Sequence, residues 1–153
     1  SDNEENPMAR GTRLEPDARS EFEFHTGLSV EEIGMIESEE NPIMANSPDG
    51  YIRDTDDTAA IEIKCMGAKN HVKLWLTDKV PEEYFYQVVQ YFIVNEKLEK
   101  LYFVGYHPEI TVHPLHIITV TRETLTEDIA KAKVAQETFL GEVEKILSKL
   151  IEL

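Results

Sequence analysis

Ser47-Pro48-Asp49-Gly50, followed nine residues later by Ala60-Ile61-Glu62-Ile63-Lys64-Cys65, is the stretch whose reading decides how this chain folds. Pro48 and Gly50 predict a tight turn that presents the Asp49 carboxylate at a strand end, with twelve residues between it and Glu62. In the second piece the β period of two puts Ile61 and Ile63 on one face and Glu62 and Lys64 on the other. Two carboxylates and one ammonium can then converge. Carboxylates at close range repel unless a cation lies between them, and hard oxygen donors suit Mg²⁺ or Mn²⁺, ions that act on phosphate and water. A plainer reading also fits: a common turn, then a solvated Glu–Lys pair on an open strand face.

Working outward, the 153 residues predict one domain with a real core. Apolar content of 41% and charged content of 29% are those of a soluble globular protein, without an apolar run of membrane-spanning length or a secretory signal. The single cysteine, Cys65, excludes an internal disulfide and a Cys-ligated cluster, which points to an intracellular, cytoplasmic protein with a small buried thiol on its central strand. The net charge of −15 is unevenly spread. Residues 1–40 carry twelve acids and three bases, residues 41–80 six and five, and residues 81–153 twelve and seven. The segment around Asp49 and Glu62 is therefore close to neutral. Without one large basic patch, any contact with DNA has to be narrow, metal-assisted, or assembled from several subunits.

The elements predicted on either side place further residues. Residues 1–6 read as a disordered or cloning-derived tail. A helix is expected from Pro7 to about His25, capped by Asn6 and ended by Gly27, with a kink or restart at Pro16. Glu15 on this helix could reach the Asp49–Glu62 group. Residues 28–37 and 43–46 read as strands, with 51–53 pairing to the latter in an antiparallel meander, and Asp54 to Asp57 as a solvated loop. Ala68–Thr77 is a short helix carrying Lys69 and Lys73 on one side, either phosphate contacts or a solvent face, with Trp75 a core or interface anchor. Pro81 opens a core helix on which Gln87 and Tyr91 share a face. Lys100–Tyr106 and Val112–Thr121 read as strands, on which His113 and His116, three apart, should point to opposite faces and so hold no zinc. Arg122–Leu153 is a long amphipathic helix that packs on the sheet or on another subunit.

With those pieces in order, the chain resembles the lambda-phage exonuclease family, YqaJ-type viral recombination nucleases of the Pro-Asp…Glu-x-Lys superfamily. The resemblance is carried by Arg10-Gly11, Glu15-x-Asp17-Ala18-Arg19, Phe22-Glu23-Phe24, Ser47-Pro48-Asp49-Gly50, Ile61-Glu62-Ile63-Lys64-Cys65 and Gln87-x-x-x-Tyr91. It implies an α/β (α+β), restriction-endonuclease-like core, a mixed central sheet flanked by helices. It also implies that Asp49, Glu62 and the Ile63 carbonyl ligate Mg²⁺ or Mn²⁺, that Lys64 orients or activates the attacking water, and that Glu15 and Gln87 complete the catalytic site. Ser47, Tyr91, Lys69 and Lys73 are then the substrate contacts. The implied activity is 5′-to-3′ digestion of duplex DNA ends by a homotrimeric ring, with a single-strand annealing protein as partner in an infected or prophage-carrying host. Against the family's pattern, residues 7–153 are expected to form one nuclease domain lacking the family's N-terminal region. An endonuclease of the same fold and an inactive DNA-binding subunit are the competing readings, although loss of Glu62 or Lys64 would mark the latter and both are present.

Overall fold

The Ala60–Lys64 run becomes the central strand of a five-stranded sheet in a computed structural model that describes residues 5–33 and 47–152. The strands lie in chain order: β1 (Val30–Glu32), β2 (Gly50–Ile52), β3 (Ala59–Lys64), β4 (Lys100–Tyr106) and β5 (Leu115–Thr121). All neighbours are antiparallel except β3 and β4, which run parallel from Ala59↔Lys100 to Lys64↔Gly105. A parallel pair needs a long crossover. Two helices supply it, α2 (Ala68–Thr77) and α3 (Glu82–Val94). Helix α1 (Pro7–Thr26) precedes the sheet, and α4 (Thr126–Ile151) follows a 3₁₀ turn at Glu123–Leu125. The result is the expected α+β domain with a mixed central sheet.

The alternation along β3 assigns its two faces. Ile61 and Ile63 pack with Leu14, Ala18 and Phe22 of α1, and with Val104 and Tyr106 of β4. Ala60 lies on the opposite face, where Val88, Val89 and Phe92 of α3 meet Leu101, Phe103, Leu125 and Ile129. Phe22, Phe92 and Phe103 are wholly buried, and truncating any of them to alanine should cost about 3–5 kcal/mol. The strand is thus clamped between helical layers, and its polar end is held rigidly.

Helix α1 starts and stops where its caps predict. The Asn6 Oδ1 accepts from the Met8 N–H at 2.8 Å, and Gly27 adopts φ 72° with its N–H donating to Glu23 O. The helix does not restart at Pro16, and one helix runs through it. Proline removes one backbone hydrogen bond, and the buried stripe of Leu14, Ala18 and Phe22 on either side of it holds the helix to the sheet.

Other boundaries differ from expectation for local reasons. Of the strand predicted over 28–37, only Val30–Glu32 is strand among the described residues, and the strand predicted over 43–46 lies outside them. Gly50 is the first residue of β2 and not part of a turn. A Cβ there would sit 2.8 Å from both Glu31 O and Val30 Cγ1, so β2 needs glycine to approach β1. β2 pairs with β1 and β3. Strand β5 begins at Leu115, because His107–Pro114 folds into turns closed by the His107 N–H to Pro114 O bond of 2.8 Å. Helix α4 begins four residues later than expected, since Arg122 leaves the helix to donate to Phe92 O, Asn95 O and Leu98 O.

Candidate active site

Strand β3 outruns β2. Gly50, the first residue of β2, lies opposite Ile61, so Glu62, Ile63 and Lys64 extend past the end of that neighbour. The Ile63 N–H therefore lacks a ladder partner on that side, and it donates to Asp49 Oδ2 at 2.6 Å. A strand residue directs its N–H and C=O to the same side, so the Ile63 carbonyl also faces Asp49. The spacing between the two motifs thus works through sheet register. Asp49 sits one residue before β2 begins, where the overhang of β3 meets it.

Glu62 is only 4% exposed, and its partners come from α3 and from its own strand. The Tyr91 hydroxyl donates to Glu62 Oε2 at 2.6 Å, while Lys64 Nζ stands 3.4 Å from Oε1. Lys64 in turn lies 4.6 Å from the centroid of the Tyr84 ring, which holds the ammonium by cation–π attraction. Burial above all, then the Asp49 charge, pushes the Glu62 carboxyl up to about 8, against the pull of Lys64 and Tyr91. Burial likewise raises Asp49, although the Ile63 N–H, Lys64 and a hydrogen bond with Glu62 oppose it. Two carboxyls placed this near each other resist carrying two negative charges, and a cation between them would relieve that repulsion.

Glu15 reaches the same end of the sheet from α1. It is half-buried; burial and then Asp49 raise its pKa, with Arg19 and Lys64 opposing. Arg19 stands 3.9 Å from Glu15 and pairs more closely with Glu32. Glu15, Asp49, Arg19 and Glu32 line a cleft of about 290 Å³. A second cleft, of about 480 Å³, opens beside Lys64 between Arg10, Gly67, Asn70 and Tyr84. Among the described residues no three His, Cys, Asp or Glu side chains form a ready metal cage, so the close pair is Asp49 and Glu62 with Glu15 standing off. Its hard oxygen donors, already short of positive charge, fit a divalent cation such as Mg²⁺ or Mn²⁺.

The remaining expected site residues fall at different depths. Tyr91 is buried with its hydroxyl committed to Glu62, and it acts on the site through that carboxylate; Gln87 lies exposed one turn earlier on the same face of α3. Ser47 is half-buried two residues before Asp49. Lys69 and Lys73 are exposed on α2, and Lys73 lines a separate cleft of about 460 Å³ toward the start of α3. Cys65 is free, and burial pushes its thiol up to about 11, so it is no nucleophile.

Two contributors escaped the sequence reading. Tyr84 gave no signal, since an aromatic in a first helical turn is ordinary. Arg10 was visible only as part of a motif, yet its Nε is buried without a hydrogen-bond partner. The histidine pair needs correction. His113 lies in the turn before β5, so the strand rule fails and the rings meet, with His113 Nε2 2.8 Å from His116 Nδ1. His116 also bonds Asp78 at 2.7 Å, and Trp75 stacks on His113 with centroids 4.4 Å apart.

A mixed sheet whose central strand ends in Glu-x-Lys beside a Pro-Asp carboxylate defines the restriction-endonuclease-like class. The profile of the YqaJ-like viral recombinase domain matches residues 1–98, and the chain belongs to that family. Among solved structures it is similar to an alkaline exonuclease (LHK-Exo) from Laribacter hongkongensis, with 29% identity and a TM-score of 0.63. The match covers 97% of this chain and 77% of that one. The same enzyme in complex with dAMP matches with a TM-score of 0.65 at 29% identity, with the same coverage. A comparison with curated proteins returns no match.

Proposed function

We propose that this chain is a Mg²⁺- or Mn²⁺-dependent exonuclease that digests one strand of duplex DNA ends from 5′ to 3′ and leaves 3′ single-stranded overhangs for phage recombination. The observation that carries this reading is the group at the end of β3. Asp49, Glu62 and Lys64 converge there, and Glu62 is buried with a carboxyl pushed up to about 8. Family membership and the similarity to an alkaline exonuclease support the reaction class.

Asp49, Glu62 and the Ile63 carbonyl would hold the ion. When bound, it lowers the pKa of water and neutralises charge on the pentacovalent phosphate transition state. The chain's own residues do the rest. Lys64, held over Tyr84, keeps a fixed positive charge beside the reacting phosphate, where negative charge develops. Tyr91, with Gln87 beside it on α3, fixes the orientation of the Glu62 carboxylate. Glu15 borders the Asp49 cleft and can accept a proton from the attacking water. Ser47, Lys69 and Lys73 are assigned to the DNA backbone.

A net charge of −15 disfavours a lone subunit on DNA, which supports a homotrimeric ring that retains the duplex topologically. The single-strand annealing protein and the host cytoplasm belong to the same proposal. No helix of the described residues is long and apolar enough to cross a membrane. The test is a comparison of linear and circular duplexes with and without Mg²⁺, using the intact chain and its Glu62→Gln and Lys64→Ala forms. Metal-dependent loss of the 5′-ended strand on linear DNA alone is expected, and both variants should be inactive while keeping native circular dichroism. Cleavage of the circle, or Mg²⁺-dependent activity surviving in Lys64→Ala, would overturn the assignment.

A further inference from the structure

The amphipathic period of α4 continues past the point where its partner ends. Leu125, Ile129, Ala132, Gln136, Phe139, Val143, Ile146 and Leu150 follow one another at alternating steps of four and three, the spacing of a coiled-coil seam. The first part of that seam is spent on the core, where Leu125 and Ile129 are buried and Ala132 packs against them. The second part is largely open to solvent, with Val143 half-buried. Phe139 is 64% exposed and Ile146 and Leu150 are each 59% exposed, flanked by Leu140 and Leu147. The outward positions Glu137, Thr138, Glu144, Lys145 and Ser148 are polar. Scattered apolar residues on a surface are ordinary, whereas a continuous seam bounded by polar positions marks a docking face.

We propose that residues 139–150 of α4 pair antiparallel with the same residues of a second copy of this chain. The charges decide between orientations. In heptad terms Val143 and Leu150 hold the a positions and Phe139 and Ile146 the d positions. Leu140 and Leu147 then lie at e, and Glu142 and Lys149 at g. A parallel pair would set Glu142 against the partner's Leu147 and leave both charges unmatched. An antiparallel pair stacks Phe139 on the partner's Leu150 and Val143 on the partner's Ile146. It also brings Leu140 to the partner's Leu147 and Glu142 to the partner's Lys149, each contact occurring twice by two-fold symmetry. The segment is thus complementary to itself in one direction only. Four layers span about 18 Å of helix. That seam is short for a stable interface, so the pairing should be weak and concentration-dependent.

The proposal is independent of the nuclease reading and is tested by sedimentation equilibrium on the full chain up to high-micromolar concentration. The unit mass should double with concentration, as monomer to dimer or as ring to double ring. Glu142→Lys and Lys149→Glu should each weaken the doubling, by roughly tenfold in dissociation constant, since each turns two attractions into repulsions. The double reversal should restore it, and mixing the two single variants should give a mixed pair tighter than either alone. Ile146→Asp, at an exposed position that leaves the fold intact by circular dichroism, should abolish doubling. A mass that does not double at any concentration, or doubling indifferent to both charge reversals, would overturn the proposal.

Discussion

Glu62 carries the chemistry of the site because it is the residue the fold treats worst. Its carboxyl has an ordinary value of 4.5 and is pushed up to about 8 by burial and by Asp49. The folded protein without metal therefore keeps a proton that the unfolded chain has released between those two values. Its contribution to stability is complete below 4.5 and is lost as pH rises through about 8. The slope cannot exceed about 1.4 kcal/mol per pH unit for one proton. Metal-free wild type should thus lose melting temperature from pH 5 to pH 8 relative to Glu62→Gln, as measured by calorimetry in chelator. Identical pH profiles for the two proteins would show that Glu62 is not held protonated. Tyr91 and Lys64 temper this cost without cancelling it, and a divalent ion would remove it.

At the scale of elements, β3 and α3 position the site and Arg122 holds them together. Helix α3 places Tyr84 under Lys64 and Tyr91 on Glu62, so any slip of this helix moves both. Its last carbonyls have no intrahelical donors, as at every helix C-terminus. Arg122 satisfies one of them and two carbonyls of the segment that follows, with Nη2 2.7 Å from Phe92 O and 2.9 Å from Asn95 O, while its Nε reaches Leu98 O at 2.8 Å. The guanidinium thereby ties the end of α3 to the start of β4 and the beginning of α4. Replacing it by alanine strips three half-buried carbonyls of a charged donor and should cost about 3 kcal/mol. Chemical denaturation would measure that loss, and a change below about 1 kcal/mol would mean that water replaces the guanidinium at no penalty. Because the site leans on α3, nuclease activity of Arg122→Ala should fall even below its melting temperature.

For the whole molecule, charge is the governing quantity. A chain of net charge −15 is poorly suited to hold DNA by a broad basic surface, and the basic groups that line the clefts are Arg10, Arg19, Lys64, Lys73 and Lys79. Each neutralised phosphate contributes about −0.9 to the slope of log affinity against log salt, so five contacts give about −4.5 at most per subunit. Binding of short duplexes by the Glu62→Gln form should show no more than that slope for each subunit engaged. A slope near −10 for each subunit engaged would exceed what the basic groups of these clefts can supply.

The local periodicities of the sequence determined most of the architecture. The turn and capping signals at Asn6, Gly27 and Pro81, the alternation through Ile61–Lys64 and the heptad of α4 each follow from residues a few positions apart, where backbone sterics and face-by-face burial decide the outcome. The same signals named Asp49, Glu62 and Lys64, because a period of two already puts Glu62 and Lys64 together. Tertiary structure decided everything that depends on register between distant segments. β3 overhangs β2 and so brings the Ile63 N–H to Asp49, and α3 lands with Tyr91 on Glu62 and Tyr84 beneath Lys64. His113 lies in a turn and meets His116, and Gly50 is required by the approach of β1. In each case the deciding neighbour is remote in the chain, and one-dimensional spacing holds no record of which remote group fills a given space.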